Sequence, residues 1–165
     1  MSEGSRLILK DKDLRLRPVK LFEDCSLALK WYQDPEVLYY SEGENVTPYT
    51  LDIIKRMYLY LNHIGELYII GVHLEQGWYP IGDATLAKDT LPIVIGEKEY
   101  RSIGLGKRIL KLLIQRAREL GWQKLKVRKV FSYNQRSLKL YLSLGFIELI
   151  NEDGIQDGYA LEKIL

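Results

Sequence analysis

At 165 residues with 47% hydrophobic content, the chain is long enough for one domain with a substantial core, and 1–165 is read as a single domain. The single cysteine, Cys25, excludes an internal disulfide and a cysteine-based metal cluster, and His63 and His73 lie ten residues apart with no ligand pattern, so no metal is expected. No apolar run approaches the ~18 residues needed to cross a bilayer, and the opening Met1-Ser2-Glu3-Gly4-Ser5-Arg6 has no signal-peptide core, so at a net charge of +2 a cytoplasmic protein is expected.

In chain order, Leu14-Arg15-Leu16-Arg17-Pro18-Val19 alternates apolar and basic residues and predicts a strand with one wet face. Leu27, Ala28, Leu29, Trp31 and Tyr32 predict a short helix that stops near Asp34-Pro35, because a residue before proline avoids the helical region. Tyr39-Tyr40-Ser41-Glu42-Gly43-Glu44-Asn45 reads as a loop, and Thr47-Pro48 as an N-cap with proline at the first position of a helix running to about Asn62. Leu67 to Leu74 and Trp78 to Leu86, joined by Glu75-Gln76-Gly77, predict a hairpin, with a further strand at Ile93-Val94-Ile95 after the turn at Lys88-Asp89. Leu105, Ile109, Leu112, Leu113, Ile114, Ala117 and Leu120 recur at helical steps, so a helix starts near Gly104 and stops at Gly121. Strand Leu125 to Phe131, helix Gln135 to Leu144 ending at Gly145, strand Phe146 to Leu149 and strand Tyr159 to Ile164 complete the order. These elements predict an α/β fold: a mixed, mostly antiparallel sheet of about six to seven strands flanked by about four helices. Within it, the strand after the long helix is expected to return parallel to the one before.

The turn Arg101-Ser102-Ile103-Gly104-Leu105-Gly106 between strand and helix is chemically the most telling segment. Glycines let a ligand approach the backbone, and the first-turn N–H groups of a helix, at the positive end of its dipole, can hold a phosphate or pyrophosphate. A Walker loop is excluded, since position 101 is not glycine and Lys107 precedes Arg108 where a magnesium-binding Ser or Thr belongs; a dinucleotide fingerprint lacks its third small residue, at Ile109. Residues 101 to 131 carry ten basic residues (Arg101, Lys107, Arg108, Lys111, Arg116, Arg118, Lys124, Lys126, Arg128 and Lys129) against Glu119 alone. That is a local net of +9, with −7 for the remainder. The resulting field suits a polyphosphate ligand or a nucleic acid.

Two motifs then resemble a known family. Arg101-x-x-Gly104-x-Gly106, and Asn134-x-x-Ser137-x-x-x-Tyr141-x-x-x-Gly145-Phe146 about thirty residues on, resemble the Gcn5-related N-acetyltransferases (GNAT), and among them the bacterial ribosomal-protein and antibiotic acetyltransferase-like members. The element order matches from Leu14 to Ile164. The resemblance implies the GNAT fold and an acetyl-CoA-dependent N-acetyltransferase acting on a primary amine by direct attack in a ternary complex, with homodimers among the available assemblies. It implies that main-chain groups of Ile93, Val94 and Ile95 pair with the pantetheine arm. Arg101, Ser102, Ile103, Gly104, Leu105, Gly106 and Lys107 would hold the pyrophosphate, and Asn134 would touch the arm while also capping its helix. Tyr141 would protonate the departing thiolate as general acid.

The family has no invariant base. Asp83, on the hairpin arm beside the cofactor strand, is the first candidate; Glu97 sits in a charged turn, where a solvated role competes with a catalytic one. Cys25, without a motif partner, is a poor nucleophile. Tyr39, Tyr40 and Glu42, with Glu44, would line the acceptor pocket, and the acidic balance outside 101–131 suits a cationic acceptor such as a polyamine, aminoglycoside or peptide N-terminus. Two other functions remain open at this point: a nucleic-acid-binding module built on the basic segment, and a GNAT-like domain that binds acetyl-CoA without catalysis.

Overall fold

The computed structural model describes residues 6–150 and 157–165; residues 1–5, on which the leader reading rests, lie outside the described residues. Strands β1 (Leu9–Asp11), β2 (Leu14–Pro18), β3 (Gly65–Leu74), β4 (Gly77–Ala87) and β5 (Ile93–Ile95) pair in that order, each neighbour antiparallel. Side-chain alternation sorts this sheet into two faces. Leu14 and Leu16 of β2 and Tyr68, Ile70 and Val72 of β3 enter one apolar cluster, while Leu67 and Ile69 of β3 enter another. Since β3 is covered on both faces, its sequence is a nearly continuous apolar run.

The first cluster is closed by α4 (Leu105–Glu119), through Leu105, Ile109, Leu110, Leu113, Ile114 and Ala117. The second is closed by α1 (Glu23–Ala28), α2 (Pro35–Ser41) and α3 (Leu51–Ile64), which bury Cys25, Ala28, Val37, Leu38, Ile54 and Tyr58 together with Trp31 and Tyr32. After α4, β6 (Lys124–Phe131), α5 (Gln135–Ser143), β7 (Ile147–Glu148) and β8 (Gly158–Ile164) form a separate antiparallel sheet in the order β6-β8-β7.

The expected α/β architecture holds, with eight strands and five α-helices among the described residues, but the sheet is divided. No β5–β6 pairing occurs among the described residues, and the parallel return predicted for β6 is corrected accordingly. β5 is only three residues long and turns away at Gly96, whereas β6 finds a longer antiparallel partner in β8. Among the described residues, each sheet therefore ends on a strand edge without a partner where the two follow one another in chain order. Further corrections are local. Asp34-Pro35 starts α2 as well as ending the preceding turn: the Asp34 side chain accepts from Glu36 N–H at 2.9 Å, and proline occupies the first turn. Tyr39, Tyr40 and Ser41 thus belong to a helix instead of a loop. The next N-cap is Thr50, not Thr47. β1 was not anticipated.

One buried ion pair fastens α4 to the sheet. Arg116 donates from Nε and Nη to both carboxylate oxygens of Glu66, each at 2.9 Å, and Tyr68 O–H adds a third bond at 3.0 Å. Burial raises the Glu66 pKa, yet Arg116 and Tyr68 outweigh it and hold the carboxyl below its ordinary range. Replacing Arg116 by Ala strands that carboxylate in the interior, and a loss of ~3 kcal/mol or more is expected in denaturant unfolding, against about 0.5 kcal/mol for removal of the exposed Lys111.

Candidate functional site

The turn at 101–106 is open on its outer side. Ser102 and Gly104 have φ of 63° and 91°, so the chain alternates hand just before α4, and a Cβ at Gly104 would meet nothing within 4 Å. Glycine serves there for the backbone angle, since the left-handed region disfavours other residues. The N-terminus of α4 has no side-chain cap and no acid in its first turn, so its N–H groups face outward without competition. Gly106 sits against Leu140, where a Cβ would stand 3.2 Å from a leucine methyl. Lys107 lies beside this turn, in the first turn of α4.

Arg101 contributes its main chain to the turn while its guanidinium points elsewhere. It donates to the carbonyls of Ile95 and Gly96 at 2.8 Å and to Asp34 and Glu36 at 3.1 Å. Among the described residues it is one of three cations of the 101–131 stretch in ion pairs: Arg108 pairs with Asp11 and Asp13, and Arg116 with Glu66. The segment's field is correspondingly smaller than its sequence count. Glu97 is likewise engaged, by Lys30 and by the indole N–H of Trp31 at 3.3 Å, so it is not a solvated turn residue.

From this turn the free edge of β5 leads back to Leu91, whose carbonyl accepts from Tyr141 O–H at 2.7 Å. The 101–106 turn and this phenol therefore lie beyond opposite ends of β5 in the chain. Tyr141 packs edge-on against Phe146, and burial pushes its pKa above the ordinary value. Asn134 caps α5, accepting from Ser137 N–H at 3.2 Å, and its amide reaches the Tyr40 carbonyl at 3.4 Å. The capping role is thus the one visible in the structure.

Asp83 lies opposite Val94 of β5 on the sheet face away from Tyr141. It is 2% exposed, and its Oδ2 accepts from both Tyr32 O–H and Tyr58 O–H at 2.7 Å. Burial pushes its pKa up to about 6; the two phenols oppose that shift and the nearby Glu42 charge adds to it. Tyr32 and Tyr58 were missed in the sequence. The available signal was a carboxylate inside the apolar run Ile81-Gly82-Asp83-Ala84, which needs buried donors, and two tyrosines on apolar helix faces, which need acceptors.

Tyr39 and Tyr40 cluster with Tyr133, whereas Glu42 meets Tyr49 and Ser41. Tyr39 stacks on Tyr133 at 4.2 Å between centroids, Tyr40 lies edge-on to Tyr39, and Tyr133 O–H donates to the Tyr39 carbonyl at 2.7 Å. Glu42 has a raised pKa through burial, opposed by the hydroxyls of Tyr49 and Ser41; Tyr49 in turn stacks on Tyr32. A buried carboxylate with its two phenols, at Asp83, and an exposed tyrosine cluster at the end of β6 are thus linked through the stacked Tyr32–Tyr49 pair and Glu42.

The pH dependence of stability follows from Asp83. Between its ordinary pKa of 3.8 and about 6, the folded protein keeps a proton that the unfolded chain has released. Stability attributable to this group therefore falls as pH rises through that window, by roughly 3 kcal/mol in total. Asp83→Asn keeps an acceptor for both phenols without the charge. It is expected to be more stable than the unsubstituted protein at pH 7 and to lose that advantage at pH 4; an equal difference at both pH values in urea melts contradicts the assignment.

Residues 92–146 match the family model described as the acetyltransferase (GNAT) family. No curated protein matches. Among solved structures, a domain from Methanocaldococcus jannaschii aligns with a TM-score of 0.80 at 19% identity, covering 92% of this chain and 98% of that one. Spermidine N-acetyltransferase from Vibrio cholerae, solved with CoA and spermine, aligns at 0.73 and 19% identity over 93% and 96%. An aminoglycoside acetyltransferase in complex with coenzyme A aligns at 0.69 and 15% identity over 92% and 94%. The chain is a GNAT-fold protein whose residues 92–146 carry the acetyltransferase (GNAT) family signature.

Proposed function

We propose that the chain is an acetyl-CoA-dependent N-acetyltransferase acting on a cationic primary amine. The observation that carries this reading is the unpaired β5 edge with an anion cradle at one end and the Tyr141 phenol at the other. Acetyl-CoA supplies the activated thioester. Main-chain N–H groups of Ser102 to Lys107 would hold its pyrophosphate, Ile93, Val94 and Ile95 would offer the edge for its arm, and Asn134, at the N-cap of α5, would add a contact to it. These residues fit the group: no acid stands in the first turn of α4, and the glycine-bearing turn is open.

The neutral form of the acceptor amine attacks the thioester carbon, the N–C bond forming as the C–S bond breaks. Asp83, ionised above pH ~6, receives the amine proton through a relaying water because its own carboxylate is buried, while Tyr32 and Tyr58 fix its orientation. Tyr141 gives its proton to the leaving sulfur, exchanging its bond to the Leu91 carbonyl for the developing thiolate. Glu42 and the faces of Tyr39 and Tyr40 suit a cationic acceptor. The spermidine and aminoglycoside acetyltransferases that share the fold support the same acceptor chemistry.

Purified protein assayed for thiol release with acetyl-CoA is expected to turn over polyamines or aminoglycosides in preference to neutral amines; activity confined to neutral or acidic amines overturns the acceptor class. Tyr141→Phe is expected to lower kcat by roughly 100-fold or more with acetyl-CoA affinity retained. An unchanged kcat removes Tyr141 from the chemistry.

A further inference from the structure

On the face of the larger sheet that carries the second cluster, a cavity of about 240 Å³ is bounded by Arg15, Arg17, Ile69, Gly71, Trp78 and Pro80. Its residues are cross-strand neighbours: Arg15 pairs with Gly71, which pairs with Pro80, and Arg17 pairs with Ile69. Arg17 is already satisfied, with both guanidinium nitrogens on the two oxygens of Asp24 at 2.7 and 2.8 Å. Arg15 is not. It forms no ion pair among the described residues, and its Nε is buried without a hydrogen-bond partner.

We propose that this cavity is a second ligand site, separate from the β5 edge, that takes a small oxyanion, a carboxylate or a phosphate, on Arg15.

The surroundings favour that chemistry. Among the described residues, the groups around the Trp78 ring are basic: Arg15 lies 4.6 Å from its centroid, Lys10 reaches the same ring at 5.6 Å, and His73 stands edge-on to it at 5.0 Å. Asp24, the acid facing this group from α1, is consumed by Arg17. Burial and the neighbouring Arg17 charge both act against the Arg15 cation and hold its pKa below the usual value. An unpartnered charged donor in such a place is costly, and an oxyanion supplies both the missing acceptor and the missing countercharge. Gly71 leaves the Arg15 stem uncovered: a side chain there would begin 3.7 Å from Nε. Trp78 stacks on one face of the Arg15 guanidinium and holds it in place, so a ligand meets the donor edge of that plane, where an oxyanion can accept two parallel hydrogen bonds and a monatomic chloride cannot. Ile69 separates the cavity from Asp83, its cross-strand neighbour on β4.

The full-length 15N-labelled protein is titrated with inorganic phosphate and, separately, with acetate, against sodium chloride at matched ionic strength. The Arg15 Nε–H, Trp78 indole and Gly71 amide signals are followed. A saturable shift of these signals is expected with at least one of the two anions, and which one responds identifies the ligand chemistry. Arg15→Gln is expected to raise Kd at least tenfold with the Trp31 and Trp122 indole signals in place, and Trp78→Leu to weaken binding while keeping the Arg15 signal. Shifts no larger than those from chloride, or an unchanged Kd in Arg15→Gln, overturn the proposal. Because these signals lie away from residues 91–107, the outcome is independent of acetyl-CoA binding.

Discussion

The Arg101 guanidinium is the interaction on which the site's geometry depends. By bonding the carbonyls of Ile95 and Gly96 it closes the end of β5, and by bonding Asp34 and Glu36 it fixes the first turn of α2 to the same point. Trp31, buried against Gly96, and Glu97, bonded to Trp31 and Lys30, tie the neighbouring segment. A Cβ at Gly96 would fall 2.1 Å from the indole, so the two segments pack with no space between them. With its side chain committed backwards, Arg101 leaves the following turn free to direct main-chain N–H groups outward, where they can receive an anion. α2 then runs from this clasp to Tyr39 and Tyr40, which rest on Tyr133 beyond the end of β6. One helix thus spans the gap between the two sheets, and Tyr39 and Tyr40 are positioned by the same ion pairs that hold the turn at 101–106.

Charge in this molecule is largely spent on joining elements. Arg108 links α4 to the β1–β2 turn, Arg116 links α4 to β3, and Arg17 links β2 to α1. Because both partners of the Arg116 and Arg17 pairs are largely buried, their worth lies in geometry more than in net stability. The acid–base chemistry proposed for the site comes from groups treated differently: Asp83 meets neutral phenols instead of a cation, and burial outweighs their opposing hydrogen bonds and raises its pKa towards the range where a base works near neutral pH.

Much of this was legible in the sequence because local signals and tertiary demands agree. Ile93-Val94-Ile95 is a strand, Gly104 starts α4, and Glu75-Gln76-Gly77 turns β3 into β4 at the residues where pattern and turn chemistry placed them, with Gly77 itself at φ 114°. The division into two sheets was not legible, since strand pairing is a long-range choice and β5 and β6 each read as ordinary strands. Asp34-Pro35 was misread because proline ends one helix and begins another with equal ease, and only the Asp34 cap distinguishes the two. The cradle itself was readable from glycine spacing, but the direction of the Arg101 side chain was not: its acceptors sit 65 and 67 residues away. Tyr32 and Tyr58 were hidden for the same reason, their partner being supplied by a strand that follows both.

The central claim is that the β5 edge and the turn after it receive coenzyme A. Titrating 15N-labelled protein with coenzyme A and following backbone amides tests it most directly. Saturable 1:1 binding is expected, with the largest shifts in Ile93 to Ile95 and Ser102 to Lys107, and with affinity reduced at least tenfold when Gly104 is replaced by Val. No saturable binding, or shifts that leave both segments unmoved, contradicts it.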